Sequence, residues 1–445
     1  MATDFPHFLD RMNLSTLNPF WNSNLLAVNG QHWRRIRSLT TPAFTASKLR
    51  GMHPMMGRSA EKLVSHLNST LLTSSSSSFS KATVQIKAII ACFAIDVIAK
   101  TSFSAETDAI SDGDKRENSK NAPGNAVVEN CRQLFVIPPL RLAAIMVLPK
   151  CLLRLLSIDC FLPSKPFNFL IDLTRHIIRE RKASAAAASL SALFTESIRK
   201  KRINFVRLLV HSRVDEAELE RSTFEHLEAA GQEQEEEKSC EIDSEEDENE
   251  KKESQPKVDP FKTPLQKAKS KSGLTGLTET EIIAQGIFFL TAGYETSSST
   301  ISHALFELAQ NQSAQARLFD ELKTVLDSLS STTSRSSAEY FEAVISRLPY
   351  LEAVLKETLR KYAPVQAVLR TTVTDGHRLE NRLPLEKGQT IMIPVGAVHH
   401  CPEYYPEPQE FRPERFLPEN AHLLVPYTWL PFGAGARNCE RPINP

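Results

Sequence analysis

Pro431-Phe432-Gly433-Ala434-Gly435-Ala436-Arg437-Asn438-Cys439-Glu440 is the stretch on which the reading of this chain turns. Two glycines and an arginine lead into one cysteine. Gly433 and Gly435 admit the positive φ angles of a tight loop and a close backbone approach, so amide N–H groups can point at a sulfur at its end. Such a sulfur is held as thiolate, the form that binds metals. Arg437 stands two residues before Cys439, where its planar fork can pair with a carboxylate on the group the sulfur binds. A glycine-rich surface turn with an unreactive cysteine is the competing reading of Gly-x-Gly followed by Cys; the complete pattern Phe-x-x-Gly-x-Arg-x-Cys favours the ligand.

Moving back from that loop, Phe411-Arg412-Pro413-Glu414-Arg415-Phe416 and Leu348 to Arg360 bring charges that matter only in combination. Pro349 near a helix start and apolar spacing at Leu351, Val354, Leu355 and Leu359 predict a helix, on which Glu357 and Arg360 share a face. An exposed pair of that kind contributes only about 0.2 to 0.5 kcal/mol. Between these segments, Pro364 to Arg370 and Gln389 to Val395 read as strand-like, and His399 and His400 as a loop after the second strand rather than metal ligands, having no third partner at ligand spacing.

Glu279 to Gln310 has the pattern of one long helix, and it carries Ala292-Gly293-Tyr294-Glu295-Thr296 followed by four hydroxyl residues. An interior glycine costs about 1 kcal/mol relative to alanine. Hydroxyl side chains also compete for backbone carbonyls. A weak spot in so apolar a helix is either a kink with satisfied hydroxyls or a groove, left by Ala292 and Gly293, where Glu295 and Thr296 supply an acid and a hydroxyl to relay protons.

Residues 214 to 276 crowd acidic side chains at one end and lysines at the other, with few apolar groups, and read as an inserted, charged, disordered loop. Leu134 to Leu173 is unusually apolar but broken by prolines and basic residues, which argues against a spanning helix and equally for ordinary core or a surface that dips into a membrane face. Ser59 to Leu72 and Thr83 to Ser102 have helical spacing. Trp33 and Arg37, four residues apart, face the same way on a helix, where an indole N–H and a guanidinium can converge on one anion or simply form a basic face.

Composition bounds the rest. The 445 residues suffice for a sizeable core, and Lys plus Arg equals Asp plus Glu at 53 each, which gives no sign of a nucleic-acid partner. Seven cysteines without a C-x-x-C pair read as reduced thiols, one of them a ligand. No run of eighteen or more uncharged apolar residues occurs.

At the cysteine loop the chain resembles the cytochrome P450 family, whose haem-ligand signature is Phe-x-x-Gly-x-Arg-x-Cys-x-Gly. The match fails only at the last position, where this chain has Arg441. Trp-x-x-x-Arg, Ala-Gly-x-Glu-Thr and Glu-x-x-Arg with Phe-x-x-Glu-Arg-Phe occur in the family's order, and the wording around Trp33, Asp96-Val97-Ile98 and Phe432 is most similar to the animal microsomal drug- and steroid-oxidising group. The resemblance implies a mainly α fold with a small β portion, formed as a single haem domain over residues 1–445 that is incomplete at both ends. It implies haem b, with Cys439 on the iron and Trp33, Arg37, Ala292, Gly293, Arg370, Phe432, Gly433 and Arg437 binding the cofactor. Glu295 and Thr296 are the implied catalytic pair, while Glu357, Arg360 and Arg415 lock together as structural support.

The implied chemistry is insertion of one oxygen atom from O2 into a lipophilic small molecule, with electrons from NADPH-cytochrome P450 reductase. The expected location is the cytoplasmic face of the endoplasmic reticulum, in contact with the membrane surface. Two alternatives remain at this point: a truncated remnant that binds haem weakly or not at all, and a peroxide isomerase of the same family that needs no reductase.

Overall fold

A computed structural model of the chain describes residues 5–12, 16–75, 84–103, 109–110, 123–136, 138–191, 205–215, 274–329, 333, 335, 337–379 and 382–439. Fourteen α-helices are formed among these residues: α1 (Pro19–Asn22), α2 (Gly30–Thr40), α3 (Ala46–Ser75), α4 (Ile86–Ile98), α5 (Pro123–Leu134), α6 (Pro139–Val147), α7 (Lys150–Leu155), α8 (Ser164–Ser191), α9 (Phe205–His211), α10 (Glu279–Gln310), α11 (Gln312–Ser328), α12 (Ala338–Ser346), α13 (Pro349–Lys361) and α14 (Val395–His399). Strands are few and short. β3 (Val368–Thr371) pairs antiparallel with β6 (Thr390–Ile393), and β4 (His377–Leu379) with β5 (Leu383–Leu385). The mainly helical expectation with a small β portion holds.

The long helix read between Glu279 and Gln310 forms with those bounds, and local chemistry explains where it starts. Thr278 accepts from the Glu281 backbone N–H while the Glu281 side chain reaches back to the Thr278 N–H, a reciprocal cap that satisfies two of the donors left open at a helix start. Thirty-two residues make α10 roughly 48 Å long. Neighbouring helices press against it where side chains are absent. A Cβ on Gly286 would meet Thr174 of α8 at 2.9 Å, and one on Gly293 would meet Ile98 of α4 at 2.9 Å.

The larger core cluster joins Trp33, Ile36 and Leu39 of α2, Ile95 of α4, Leu170 and Ile178 of α8, and Ile283 and Leu290 of α10. A second, smaller cluster packs α13 through Tyr350, Ala353 and Val354 onto Tyr405, Phe416 and Leu417. The amino-terminal segment also meets the β3 strand: Asp10 bridges Thr371 of β3, and Val373 N–H donates to His7 C=O at 3.0 Å.

Two expectations change here. His399 and His400 do not follow the strand as a loop: β6 runs into α14, whose last residue is a fully buried His399. Of the 214–276 insertion, residues 216–273 lie outside the described residues, but its flanks, Val214–Asp215 (β1) and Leu274–Thr275 (β2), pair antiparallel, so the insertion leaves and re-enters the body at one place. Arg441 also lies outside the described residues.

Beneath α4, Asp96 and Lys100 form a buried ion pair at 2.6 Å, and the Ser59 hydroxyl of α3 donates to the same carboxylate at 2.6 Å. Removing one partner of such a pair leaves an uncompensated charge in the interior, whereas removing both does not. Lys100→Met is therefore expected to lower stability by about 3–5 kcal/mol, and Lys100→Met combined with Asp96→Leu by less than either substitution alone, as read from denaturant unfolding.

Candidate cofactor and substrate site

The cysteine loop is closed by its own backbone. Cys439 N–H donates to Phe432 C=O at 2.9 Å, Asn438 N–H to Gly435 C=O at 2.8 Å, and Gly433 N–H to Leu430 C=O at 3.1 Å. Gly433 and Gly435 both have φ 74°, so their role is conformational, as expected; a Cβ on Gly433 would meet nothing closer than 3.9 Å. Cys439 is left exposed at the loop's end, and Phe432 packs edge-on to Trp429 with ring centroids 6.0 Å apart.

Against this loop the structure gathers a set of arginines. Arg37 of α2 donates to Asn438 C=O at 3.1 Å and to the Asn438 side-chain oxygen at 3.0 Å. Arg437 donates to Val28 C=O at 2.9 Å, and its guanidinium lies 4.4 Å from the centre of the Trp33 ring, within the range of a cation–π contact. Arg370, buried on β3, and Arg11 complete the group. Arg11 donates from its side chain to Arg437 C=O at 3.4 Å, while its backbone and the Asn29 amide exchange two hydrogen bonds at 3.0 Å.

So much like charge in one place is costly. Burial, then the guanidinium groups of Arg11 and Arg370, pull the Arg437 pKa down to about 8, with Asp10 opposing. Burial, then Arg370 and Arg37, lower that of Arg11 to about 10, with Cys439 opposing. A guanidinium keeps its proton, so these depressions reflect the cost of burying like charges together. Nε and Nη1 of Arg437 and Nε of Arg11 are buried without a hydrogen-bond partner among the described residues. The donors therefore suit a ligand with two carboxylates beside Cys439. Trp33, Arg37, Arg370 and Arg437 were expected here from sequence; Arg11 was not, since no motif surrounds it and contacts distant in sequence, the Asp10–Thr371 bridge and the bonds to Asn29, bring it in.

On α10, Thr296 Oγ1 donates to Ala292 C=O at 2.7 Å, four residues back, so the hydroxyl proton is held on the helix while its lone pairs can accept. Glu295 lies at the surface, 3.3 Å from Lys87 of α4. Gly293 is accounted for differently from expected: Ile98 fills the space its side chain would take, so the glycine serves the close approach of α4 rather than a groove. Ala292 shares a row with Thr296 and Phe288 at four-residue spacing.

Glu357, Arg360 and Arg415 are brought together behind the loop. Glu357 and Arg360 are 0% exposed and joined by two bonds of 2.7 and 2.8 Å; Glu357 also accepts from Arg412 N–H at 2.9 Å and lies 3.5 Å from Arg415 Nε. Arg360 continues the brace to His399 C=O at 2.9 Å. His399 Nε2 accepts from Leu430 N–H at 2.8 Å, and Nδ1 therefore carries the proton toward Arg360 C=O at 3.1 Å. Sequence reasoning missed this cross-brace, because a His-His pair at a strand end carries no periodic signal.

A narrow, partly open cavity of about 30 Å³ lies along the same helix. Phe20, Trp21 and Asn24 form one wall and Ile287, Phe288 and Thr291 of α10 the other, with Phe167 of α8 closing the side. Its polar side chains are few: Thr291 Oγ1 donates to Ile287 C=O at 2.9 Å, and the Asn24 amide bonds Trp21 C=O and the N–H groups of Leu26 and Ala27. The rest of the wall is apolar, aromatic and aliphatic in equal measure.

Among known proteins, a sequence model described as Cytochrome P450 matches residues 2–235 and 219–440. Thromboxane-A synthase of Sus scrofa is 29% identical over 99% of this chain and 71% of its own length. Cytochrome P450 3A7 of Homo sapiens is 28% identical over 94% of this chain and 66% of its own. Cytochrome P450 3A13 of Mus musculus is 29% identical over 92% of this chain and 63% of its own.

The His399 brace makes a pH prediction. Burial is the main cause that lowers its pKa from 6.5 to about 4, so the folded imidazole stays neutral where the unfolded one takes a proton. The associated stability is complete above pH 6.5 and is lost as pH falls toward 4, by about 3 kcal/mol in total. Unfolding followed across this window should show that loss in the wild type and a flatter profile in His399→Gln.

Proposed function

Because the chain belongs to the cytochrome P450 family, whose members hold haem through a cysteine thiolate, we propose that it is a haem-thiolate monooxygenase. It places one oxygen atom from O2 into a lipophilic small molecule, with electrons from NADPH delivered by a reductase. The observation that carries this reading is the arginine group beside Cys439, whose buried, unpartnered donors fit the two carboxylates of haem b. Cys439 would hold the iron, and Arg11, Arg37, Arg370 and Arg437, with Trp33 beneath Arg437, would hold the propionates. When bound, the haem supplies activation of dioxygen, which electron donation from the thiolate favours.

The chain's own residues supply the rest. Thr296, whose hydroxyl donates to Ala292 C=O, keeps lone pairs that can accept a hydrogen bond and so hold a proton donor at its oxygen, on the row it shares with Ala292 and Phe288. Glu295, half-exposed beside Lys87, takes up protons from solvent one residue away. The mostly apolar cavity holds an apolar portion of the substrate by contact area. Glu357, Arg360, Arg415 and His399 keep the cysteine loop from shifting.

Membrane contact belongs to α6 and α7. Leu140, Val147 and Leu155 are 85%, 80% and 81% exposed there, beside Arg141, Lys150 and Arg154. No helix among the described residues is long and apolar enough to cross a membrane. An apolar face with basic neighbours suits lying in the interface, here the cytoplasmic side of the endoplasmic reticulum.

Two substitutions test the reading. Cys439→Ser should abolish the red-shifted Soret band that thiolate-ligated iron gives on reduction and carbon monoxide binding; an unaltered spectrum and haem content would refute the assignment. Thr296→Val should retain haem and substrate binding while product formation falls about 10²-fold and NADPH electrons are lost to hydrogen peroxide, measured as product per NADPH consumed.

A further inference from the structure

We infer that Gln285 is a positioning residue that sets the width of the aromatic cavity, and through that width decides which size of apolar aromatic ligand the protein accepts. The inference rests on the cavity being part of the proposed substrate site. It begins from the segment that forms the cavity's first wall. Asn18 caps α1 by accepting from Phe20 and Trp21 N–H at 3.0 and 3.2 Å, and the Asn24 side chain ties Trp21 to Leu26 and Ala27. Residues 18–27 are thus braced internally and move as a unit.

That unit is hydrogen-bonded to the body at two places. At its start, Leu17 N–H donates to Asp159 C=O at 2.9 Å and the Asn18 amide to the Asp159 carboxylate at 3.0 Å. The other place is Gln285. Its Oε1 accepts from Leu25 N–H at 2.9 Å and its Nε2 donates to Ser23 C=O at 2.7 Å, so one fully buried amide brackets Asn24 from both sides. On α10, Ala284, the residue just before Gln285, lines the same cavity as Asn24. Trp21 against Phe161 and Leu25 in the core pack the segment as well, but Gln285 supplies the hydrogen bonds that join the two cavity walls directly.

Width matters because the cavity wall is mostly apolar. Asn24 is engaged with Trp21, Leu26 and Ala27, Thr291 donates its proton to Ile287 C=O and keeps only acceptor lone pairs, and most of the remaining wall is hydrocarbon and aromatic ring. With so little polar surface to recognise, discrimination comes chiefly from fit, and one methylene more or less in such a pocket changes binding about 10–200-fold. The ligand class is accordingly a compact aromatic hydrocarbon portion.

The test uses the full haem-loaded chain and three probes of increasing size, benzene, naphthalene and phenanthrene, with dissociation constants from equilibrium dialysis. Gln285→Leu keeps the volume and removes both bonds. It should raise the preference for phenanthrene over benzene at least tenfold and speed hydrogen exchange at the Leu25 amide at least tenfold. Gln285→Glu keeps the bond from Leu25 and loses the one to Ser23. It should shift the preference the same way by about threefold, and it decides the matter if the leucine variant does not fold. Ala284→Val, which narrows the cavity with the bracket intact, should shift preference toward benzene.

Faster exchange at Leu25 with an unchanged size preference would show a structural tether only and overturn the proposal. So would failure of every probe to bind the wild type. That second failure leaves haem content and the reduced carbon monoxide spectrum unaffected, so it is distinguishable from a failure of the monooxygenase reading.

Discussion

Positive charge gathered and buried beside the cysteine loop is the constraint around which this structure is arranged. Four arginines, drawn from the amino-terminal segment, α2, β3 and the cysteine loop, face one region with Asp10 as the acidic group acting on Arg437. Several kcal/mol of desolvation attends each such ion, and hydrogen bonds to Val28 and Asn438 carbonyls offset only part of it. The Trp33 ring under Arg437 offsets a little more, on the order of 1–2 kcal/mol where the pair is desolvated. Lysines would shed protons in such a place; arginines do not, and so the demand for an anionic ligand is built in.

The second organising element is α10, which serves opposite needs along one length. At its start it is a capped, well-anchored helix; at Gly286 and Gly293 it accepts neighbouring helices at near-contact distance. Between those points its side chains wall a cavity, and just beyond them Thr296 turns a hydroxyl toward its own backbone. Rigidity from the packed glycines is what lets one helix present both the apolar wall and the hydroxyl in fixed relation.

Much of this was legible in the amino-acid sequence, for identifiable reasons. The long helix, α13 and the two strands beside Arg370 carry strong periodic signals, and their bounds emerge within a few residues of those read from the sequence. The cysteine loop was legible because positive φ demands glycine. Arg11 and His399 were not, because each acts through contacts far away in sequence and sits in a stretch without pattern. Gly293 is only partly legible for a related reason: a glycine's lack of a side chain shows in sequence, but what lies against it, here Ile98, does not.

One consequence follows from Arg11 reaching Arg437, 426 positions later, and from Arg37 reaching Asn438, 401 positions later. Contacts so remote in sequence close the largest loops in the molecule and are slow to form. During synthesis, α2 and the amino-terminal segment emerge from the ribosome long before the cysteine loop is translated. The arginine-lined face is thus completed only after the cysteine loop has been made, and until then its amino-terminal half has no partner to close against.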